Sequence, residues 1–456
     1  MATTPSDSSP TDGGIAGIAG LSETPRGERL HIALLGRRNA GKSSLINALA
    51  HQEVAITSSI PGTTTDPVYK AMEILPIGPV VLIDTAGLDD EGILGEERVR
   101  KSLSVLDKTD IAVLVVDALT GWGTWEDTLL VRLNNRAIPT VLVLNKSDLV
   151  GEPAQVRTAT PGSSREHPPW IPVSAYQGRG IDLLKEALIQ LGASTREEPS
   201  LMGDLVSTGD TVVLVAPIDR SAPKGRLILP QVQAIRDLLD HRAQALVVQE
   251  TELASALNTL QTAPRLVVTD SQVFKIVNEL TPPHISLTSF SILFARYKGN
   301  LSQLVSGAKA IENLKPGDQV LIAEACTHHR TDDDIGTVKI PRWLEQKVGG
   351  PLSYTWVSGG TLPENLDSFK LVIHCGACML NRRQMLSRLE RIRRAGVPVA
   401  NYGVTIAYLH GILERVLSPF PQVLAVLQSA STPSGSPHTL SGKPEAPAQT
   451  QTQIRT

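Results

Sequence analysis

The sequence of 456 residues has few cysteines and few aromatic residues. Three cysteines cannot form a disulfide framework, so we expect reduced thiols and a cytoplasmic protein. No run of ~18 apolar residues occurs, so no membrane-spanning helix is expected. The first residues lack a basic segment followed by an apolar core, so no secretory signal is expected. A net charge of -3 gives no general attraction to nucleic acid or membranes, and neither is a predicted partner.

The remaining composition predicts a multidomain globular protein. The apolar fraction of 41% is sufficient for packed cores, and the length predicts roughly two to four domains. Residues 1–27 and 429–456 are rich in Ser, Thr, Pro and Gly, and we predict that both are disordered tails.

Between these tails, short apolar runs alternate with segments of helical spacing. Continuous apolar runs such as IAVLVVDA and TVLVLNK are typical of parallel strands buried on both faces. The predicted fold is therefore α/β, with a P-loop domain at 28–195 followed by two smaller α/β domains at 205–305 and 310–428.

A phosphate-binding loop follows the first predicted strand. Residues 36–43 match G-x-x-x-x-G-K-[ST] and precede a helical segment. Glycines let backbone N–H groups approach phosphates, Lys42 reaches the outer phosphates, and Ser43 offers a hydroxyl to Mg²⁺. The predicted phosphate-binding residues are Gly36, Arg37, Arg38, Asn39, Ala40, Gly41, Lys42, Ser43 and Ser44.

Asp84-Thr85-Ala86-Gly87 follows another apolar run and is the second motif of the set. It can bring Asp84 near the metal and Gly87 near the γ-phosphate.

Asn145-Lys146-Ser147-Asp148 predicts guanine specificity. The Asn145 amide and the Asp148 carboxylate can bind the two edges of guanine, whose ring N–H and amine donors adenine lacks. Ser174-Ala175 completes the ordered set, which predicts GTP rather than ATP as the nucleotide.

With these motifs, the region resembles the translation-factor-related GTPases near the Era and MnmE branch. The resemblance implies that residues 62–66 are the first switch, in which Thr64, or alternatively Thr63, contacts Mg²⁺. Asn39 matches the asparagine that helps to bind K⁺ in cation-activated relatives; alternatively, it only braces the loop.

Leu88 stands where Ras-like enzymes have a water-orienting glutamine. We therefore predict slow hydrolysis, aided by a monovalent cation or by another residue. Glu96 and Glu97 are candidates for positioning water, although they also fit a solvated acidic helix start. The predicted catalytic residues are Lys42, Thr64, Asp84, Gly87 and Glu96.

All three cysteines lie in two histidine-bearing clusters that directly follow apolar runs. The clusters are Cys326-Thr327-His328 and His374-Cys375-Gly376-Ala377-Cys378. Thiolates and imidazoles favour soft or borderline metals, so we predict one shared metal centre. A redox dithiol or inert buried cysteines are the alternatives. From spacing alone, zinc and a [4Fe–4S] cluster remain open, with His328 or His374 as the candidate fourth ligand.

C-x-H, a gap of 45 residues (329–373) and H-C-x-x-C, downstream of an Era-like GTPase, is similar to the HydF family of [FeFe]-hydrogenase maturation GTPases. Over about 25–425, the resemblance implies a dimerisation domain at 205–305 and a cluster-binding domain at 310–428. It also implies a [4Fe–4S] cluster on Cys326, Cys375 and Cys378 with an exchangeable fourth site.

The function implied by this resemblance is that of a GTP-hydrolysing, homodimeric scaffold. It would receive a diiron precursor from two radical-SAM maturases and transfer it to the apo-[FeFe]-hydrogenase. The cofactors would be GTP, Mg²⁺ and the cluster, with K⁺ as a candidate.

An Era-like GTPase that binds RNA or the ribosome and carries a structural zinc site is the alternative. No GxxG-type RNA-binding segment follows the GTPase region. The basic stretch at 382–394 fits the solvated face of a helix or a docking surface for an acidic partner.

Overall fold

The computed structural model describes residues 24–51, 59–60, 67–85, 104–150, 170–195, 200–218, 227–325 and 334–429, without the side chains of residues 51, 59, 60 and 429. Within these ranges, three separate sheets follow one another along the chain.

The first sheet has the strand order β2-β3-β4-β1-β5-β6-β7. Its strands are β1 Leu30–Leu35, β2 Ser59–Ile60, β3 Val68–Ile74, β4 Gly78–Asp84, β5 Ile111–Asp117, β6 Thr140–Asn145 and β7 Trp170–Pro172. β4, β1, β5, β6 and β7 are parallel, whereas β2 and β3 run antiparallel to their neighbours. All six residues of β1 are buried, as its continuous apolar run predicts.

Helices cover both faces of this sheet. They are α1 Lys42–His51, α2 Thr124–Asn135 and α3 Ile181–Thr195. One apolar core joins α1 and α3 to the sheet, and a second core joins α2 to the opposite face.

The second sheet is fully parallel in the order β11-β10-β8-β9. Its strands are β8 Thr211–Val215, β9 Gln244–Val248, β10 Leu266–Thr269 and β11 Ser286–Ser289. The helices of this unit are α4 Leu229–Asp240, α5 Leu253–Thr259, α6 Phe274–Leu280 and α7 Phe290–Lys298.

The third sheet is also parallel, in the order β13-β12-β14-β15. Its strands are β12 Gln319–Glu324, β13 Ser353–Ser358, β14 Leu371–His374 and β15 Val399–Asn401. The helices are α8 Leu301–Ala308, α9 Ile340–Val348, α10 Arg382–Arg394, α11 Tyr402–Leu409, α12 Leu413–Val416 and α13 Pro421–Ser429.

A single apolar core extends through the second and third units, from Leu201 to Leu427. The first unit has its own two cores. The prediction of an α/β P-loop unit followed by two smaller α/β units is confirmed.

Arg26–Glu28 form a 3-10 turn, so the end of the segment predicted as a tail packs against the fold. None of the helices in the described ranges has the length and apolarity that crossing a membrane requires.

Candidate functional site

The phosphate-binding loop lies between β1 and α1, at the carboxyl edge of the first sheet. The buried Lys42 side chain donates from Nζ to the carbonyl oxygens of Gly36, at 3.0 Å, and Arg37, at 2.8 Å. Gly41 has φ +91°, and a Cβ there would lie 2.2 Å from Asn145 Nδ2. Glycine is therefore required both by the backbone and by the close approach of the asparagine.

Two of the predicted Mg²⁺ ligands meet beside this loop. Ser43 Oγ donates to Asp84 Oδ2 at 2.5 Å, and Asp84 ends β4. A hydroxyl and a carboxylate oxygen side by side are hard oxygen ligands, as Mg²⁺ requires. The pair therefore fits the predicted metal.

Asn145 connects the phosphate-binding loop to the last motif. Its Nδ2 donates to Ala40 O at 2.9 Å, and its Oδ1 accepts from Ala175 N at 3.1 Å. Only 2% of Asn145 is exposed. Asn145 therefore connects the phosphate-binding loop to Ala175, while Asp148 lies in the adjoining 3-10 turn Ser147–Leu149.

Two acidic residues that the sequence reasoning missed fix basic residues of the motifs. Arg37 forms two 2.7 Å hydrogen bonds with Glu126, which is 2% exposed. Lys146 Nζ donates to Asp117 Oδ2 at 2.6 Å. Because Arg37 is held by α2, its backbone rather than its guanidinium is the group suited to phosphate. Asp117 could have been found, since it ends the apolar run of β5.

The loop residues Arg38, Asn39, Ser43 and Ser44 are exposed, and Ser174 is buried. The other predicted site residues, namely Thr63, Thr64, Gly87, Glu96, Glu97, Cys326 and His328, lie outside the described residues.

The C-x-x-C segment begins where β14 ends. β14 is the direct neighbour of β12, with His374 opposite Ala323. Ala325 N donates to Cys375 Sγ at 3.1 Å, and Cys326 is the next residue in the chain. The chain after β12 therefore lies beside the C-x-x-C segment as far as Ala325.

The conformation of this loop favours a charged sulfur. Ala377 lies between the two cysteines at φ 55°, a left-handed value uncommon for alanine. Its N–H donates to Cys375 Sγ at 3.5 Å. Two amide donors on one sulfur stabilise the thiolate, which is the form that binds metals.

His374 presents a neutral imidazole in the same region. It is fully buried, and Nδ1 lies 2.8 Å from Cys375 O. A carbonyl only accepts, so Nδ1 carries the proton and Nε2 keeps its lone pair. Nε2 has no hydrogen-bond partner within the described part of the chain. Burial, and then the positive charge of Arg388, lowers the pKa of His374 to about 3. An uncharged nitrogen with a lone pair fits a metal ligand.

Buried oxygen-bearing side chains adjoin the two strand ends, and sequence reasoning missed them. Glu324, 1% exposed, ends β12 and accepts from Tyr402 OH at 3.1 Å. Burial, and then the negative charges of Cys375 and Glu324, holds the pKa of Tyr402 well above its usual value. The carboxyl edge of the third sheet is therefore a buried polar site.

The C-x-x-C loop is joined to the first unit through Lys298, the last residue of α7. Its Nζ donates to the carbonyl oxygens of Cys378, at 3.1 Å, and Leu380, at 2.7 Å. Nζ also lies 2.7 Å from Glu28 Oε1. A Cβ on Gly27 would lie 2.7 Å from Leu380 O, so the backbones of the first and third units approach closely here.

A second connection is made by Asn381, the N-cap of α10. Its Nδ2 donates to Lys108 O at 2.8 Å and to Asp110 Oδ2 at 3.1 Å. Lys108 belongs to the 3-10 turn Leu106–Lys108, just before β5. A cavity of about 380 Å³ lies at this junction, bordered by Glu28, Asp110 and Asn381.

The basic stretch of α10 is only partly a solvated face, contrary to one of our two expectations. Arg382 and Arg383 donate to main-chain carbonyls of α7 and of the first unit, and Arg388 is 4% exposed. Arg393 and Arg394 are exposed and pair with Glu390.

Three domain models match the chain in tandem. A 50S ribosome-binding GTPase model matches residues 31–146. The hydrogen maturase F dimerization domain matches residues 201–299, and the hydrogen maturase F tetramerization domain matches residues 302–419.

Curated relatives match only the GTPase region. The tRNA modification GTPase MnmE of Burkholderia mallei (strain SAVP1) is 38% identical over 165 residues, which are 36% of this chain and 35% of that protein. MnmE of Nitrosomonas europaea is 39% identical over 164 residues, with the same shares of the two chains. The chain thus spans about a third of the length of these relatives.

Among solved structures, Aquifex aeolicus Era bound to GDP and AlF4⁻ is 20% identical, with a TM-score of 0.29. That match covers 48% of this chain and 93% of the Era chain.

Both domain models specific to hydrogen maturase F follow the GTPase model without overlap and in order. The chain belongs to the hydrogen maturase F family, the HydF GTPases.

Proposed function

We propose that this chain is a GTP-hydrolysing scaffold for [FeFe]-hydrogenase maturation that binds a [4Fe–4S] cluster through Cys326, Cys375 and Cys378. It would carry a diiron precursor, made by two radical-SAM maturases, to the apo-hydrogenase in the cytoplasm. The observation that supports this most directly is the hydrogen bond from Ala325 N to Cys375 Sγ, because it brings the residue preceding Cys326 to the C-x-x-C loop.

The donor set fits an iron–sulfur cluster. Amide N–H groups on Cys375 Sγ favour the thiolate, and amide donors to cluster sulfurs are a common means of tuning such centres. The lone pair on His374 Nε2 supports His374 as the candidate fourth ligand. When bound, the cluster would supply an iron atom with a coordination position open to exchange.

The GTPase unit would control partner exchange rather than the assembly chemistry. Lys42 would bind the outer phosphates, and Ser43 and Asp84 would hold Mg²⁺, with Thr64 joining in the GTP state. Asp148 would select guanine. Hydrolysis would be slow and stimulated by K⁺ near Asn39, with Glu96 or Glu97 positioning water.

Oligomerisation is part of the proposal. The matching dimerization and tetramerization domain models indicate an oligomer. We propose that 205–305 mediates a homodimer and that 310–428 also binds the cluster.

Paired variants test the division of labour. Lys42→Ala should abolish GTP turnover and leave iron uptake unchanged, whereas Cys375→Ser should do the reverse. Loss of both activities in either variant would contradict the scaffold with two separate sites.

A further inference from the structure

The guanidinium of Arg388 is a buried positive charge that has no role in the proposed function. It lies on the inner face of α10 and is 4% exposed. Its Nη1 donates to Gly359 O at 2.8 Å. Among the residues that the structure describes, the Nε and Nη2 groups have no hydrogen-bond partner. Burying a guanidinium with two unsatisfied N–H groups is costly unless an anion or acceptor completes it.

The guanidinium lies at the carboxyl edge of the third sheet. Gly359, which accepts the bond from Nη1, follows β13 and donates from N to Glu324 O at 2.9 Å. Glu324 precedes Ala325, whose N–H is bonded to Cys375 Sγ. The guanidinium therefore lies beside the ends of β13 and β12.

Electrostatics agrees with this position. Burial lowers the pKa of Arg388, and the charge of Cys375 is the next contribution and opposes that effect. Arg388 in turn lowers the pKa of His374. Both effects agree with the position of the guanidinium at the carboxyl edge of the third sheet.

We propose that Arg388 forms an anion subsite beside Cys375, in which its Nε and Nη2 groups hydrogen-bond a small anion bound to the metal. The ligand class is a small monovalent anion at the exchangeable position. This proposal takes from the proposed function only which metal centre the cysteines bind.

Three features favour an anion over a neutral ligand. A guanidinium has only donors. Hydrogen bonds from an ionised donor to an anion are roughly twice as strong as neutral ones. The site is buried, where such bonds are screened least. Arg388 would therefore select charged over neutral ligands of similar size.

The test uses full-length protein reconstituted anaerobically with iron and sulfide. Azide, and separately the neutral ligand imidazole, is titrated while EPR of the reduced cluster is recorded. Arg388→Met should weaken azide binding at least ~10-fold and leave imidazole binding unchanged. The matched control Arg394→Met, on the exposed face of α10, should behave like wild type.

Unchanged azide affinity in Arg388→Met, at equal iron content, would overturn the subsite. If Arg388→Met does not fold, Arg388→Lys replaces it in the test, because lysine keeps the positive charge but has fewer fixed N–H donors than arginine. It should bind azide with intermediate affinity, and wild-type affinity would contradict the proposal.

Cobalt(II)-loaded protein separates this inference from the proposed function. If the wild type takes up cobalt but no cluster, only the scaffold proposal fails. The optical bands of cobalt should then still report weaker azide binding in Arg388→Met, and identical titrations would overturn the subsite in that case too.

Discussion

Lys298 and Glu28 form a buried ion pair, with Nζ 2.7 Å from Oε1 and only 2% of the lysine side chain exposed. The same ammonium group donates to Cys378 O. One side chain from α7 therefore joins the start of the GTPase unit to the C-x-x-C loop.

Lys298→Met should loosen this loop. The change leaves Glu28 without its cation and two loop carbonyls without their donor. Breaking a buried pair costs about 3–5 kcal/mol. We expect a lower unfolding midpoint and faster loss of iron to a chelator, measured by absorbance. The exposed Lys315→Met is the control; equal iron loss in both variants would show that Lys298 does not hold the loop.

Asn381 should make the C-x-x-C loop respond to whether GTP or GDP is bound. It contacts the turn Leu106–Lys108, which follows the Asp84 motif in sequence, and it caps α10 next to Cys378. This junction lies at the amino ends of β1 and β5, roughly 20 Å along the strands from the phosphate-binding loop.

Two substitutions of Asn381 separate its role as the N-cap of α10 from its hydrogen bonds to Lys108 and Asp110. Asn381→Asp keeps an N-cap acceptor but removes the donor and adds a charge beside Asp110. Asn381→Ala removes both functions. We expect a difference between the GTP- and GDP-bound EPR spectra in wild type and its loss in both variants. A nucleotide effect that persists in Asn381→Asp would rule out this route.

Potassium should accelerate GTP hydrolysis through Asn39. Asn39 is exposed and has φ 59°, so its side chain is available to a cation beside the loop. We expect faster turnover in KCl than in NaCl, and equal rates in the two salts for Asn39→Ala. Equal rates for wild type in both salts would mean that Asn39 only braces the loop.

His31 should make the stability of the first unit depend on pH. It is buried, and burial lowers its pKa from 6.5 to about 4. The unfolded chain therefore binds this proton more readily, and stability is lost as pH falls from ~6.5 towards 4, by on the order of 3 kcal/mol. The free energy of unfolding in urea should differ less between pH 7 and pH 5 for His31→Phe than for the wild type. The exposed His284→Phe should retain the wild-type difference, and an unchanged difference in His31→Phe would contradict this assignment.

The sequence predicted the parts of the fold with strong local signals. β1, β5 and β6 are continuous apolar runs, and each is predicted as a strand. β3 and β13 were missed because their side chains are largely half-buried or exposed, so the apolar signal is weak.

The candidate site was predictable where motifs hold adjacent residues together. Ser43 and Asp84 meet, as the motifs indicated. The bonds of Lys298 to Glu28 and of Arg388 to Gly359 join residues far apart in sequence. Lys298 is buried by packing between units and Arg388 by packing within the third unit, and no local pattern predicts either contact.

Anaerobic reconstitution with iron and sulfide, followed by EPR of the reduced protein, tests the central claim most directly. The account predicts one [4Fe–4S] signal per chain that is lost in Cys375→Ser and Cys378→Ser. Stoichiometric zinc with no cluster signal in the wild type would contradict it.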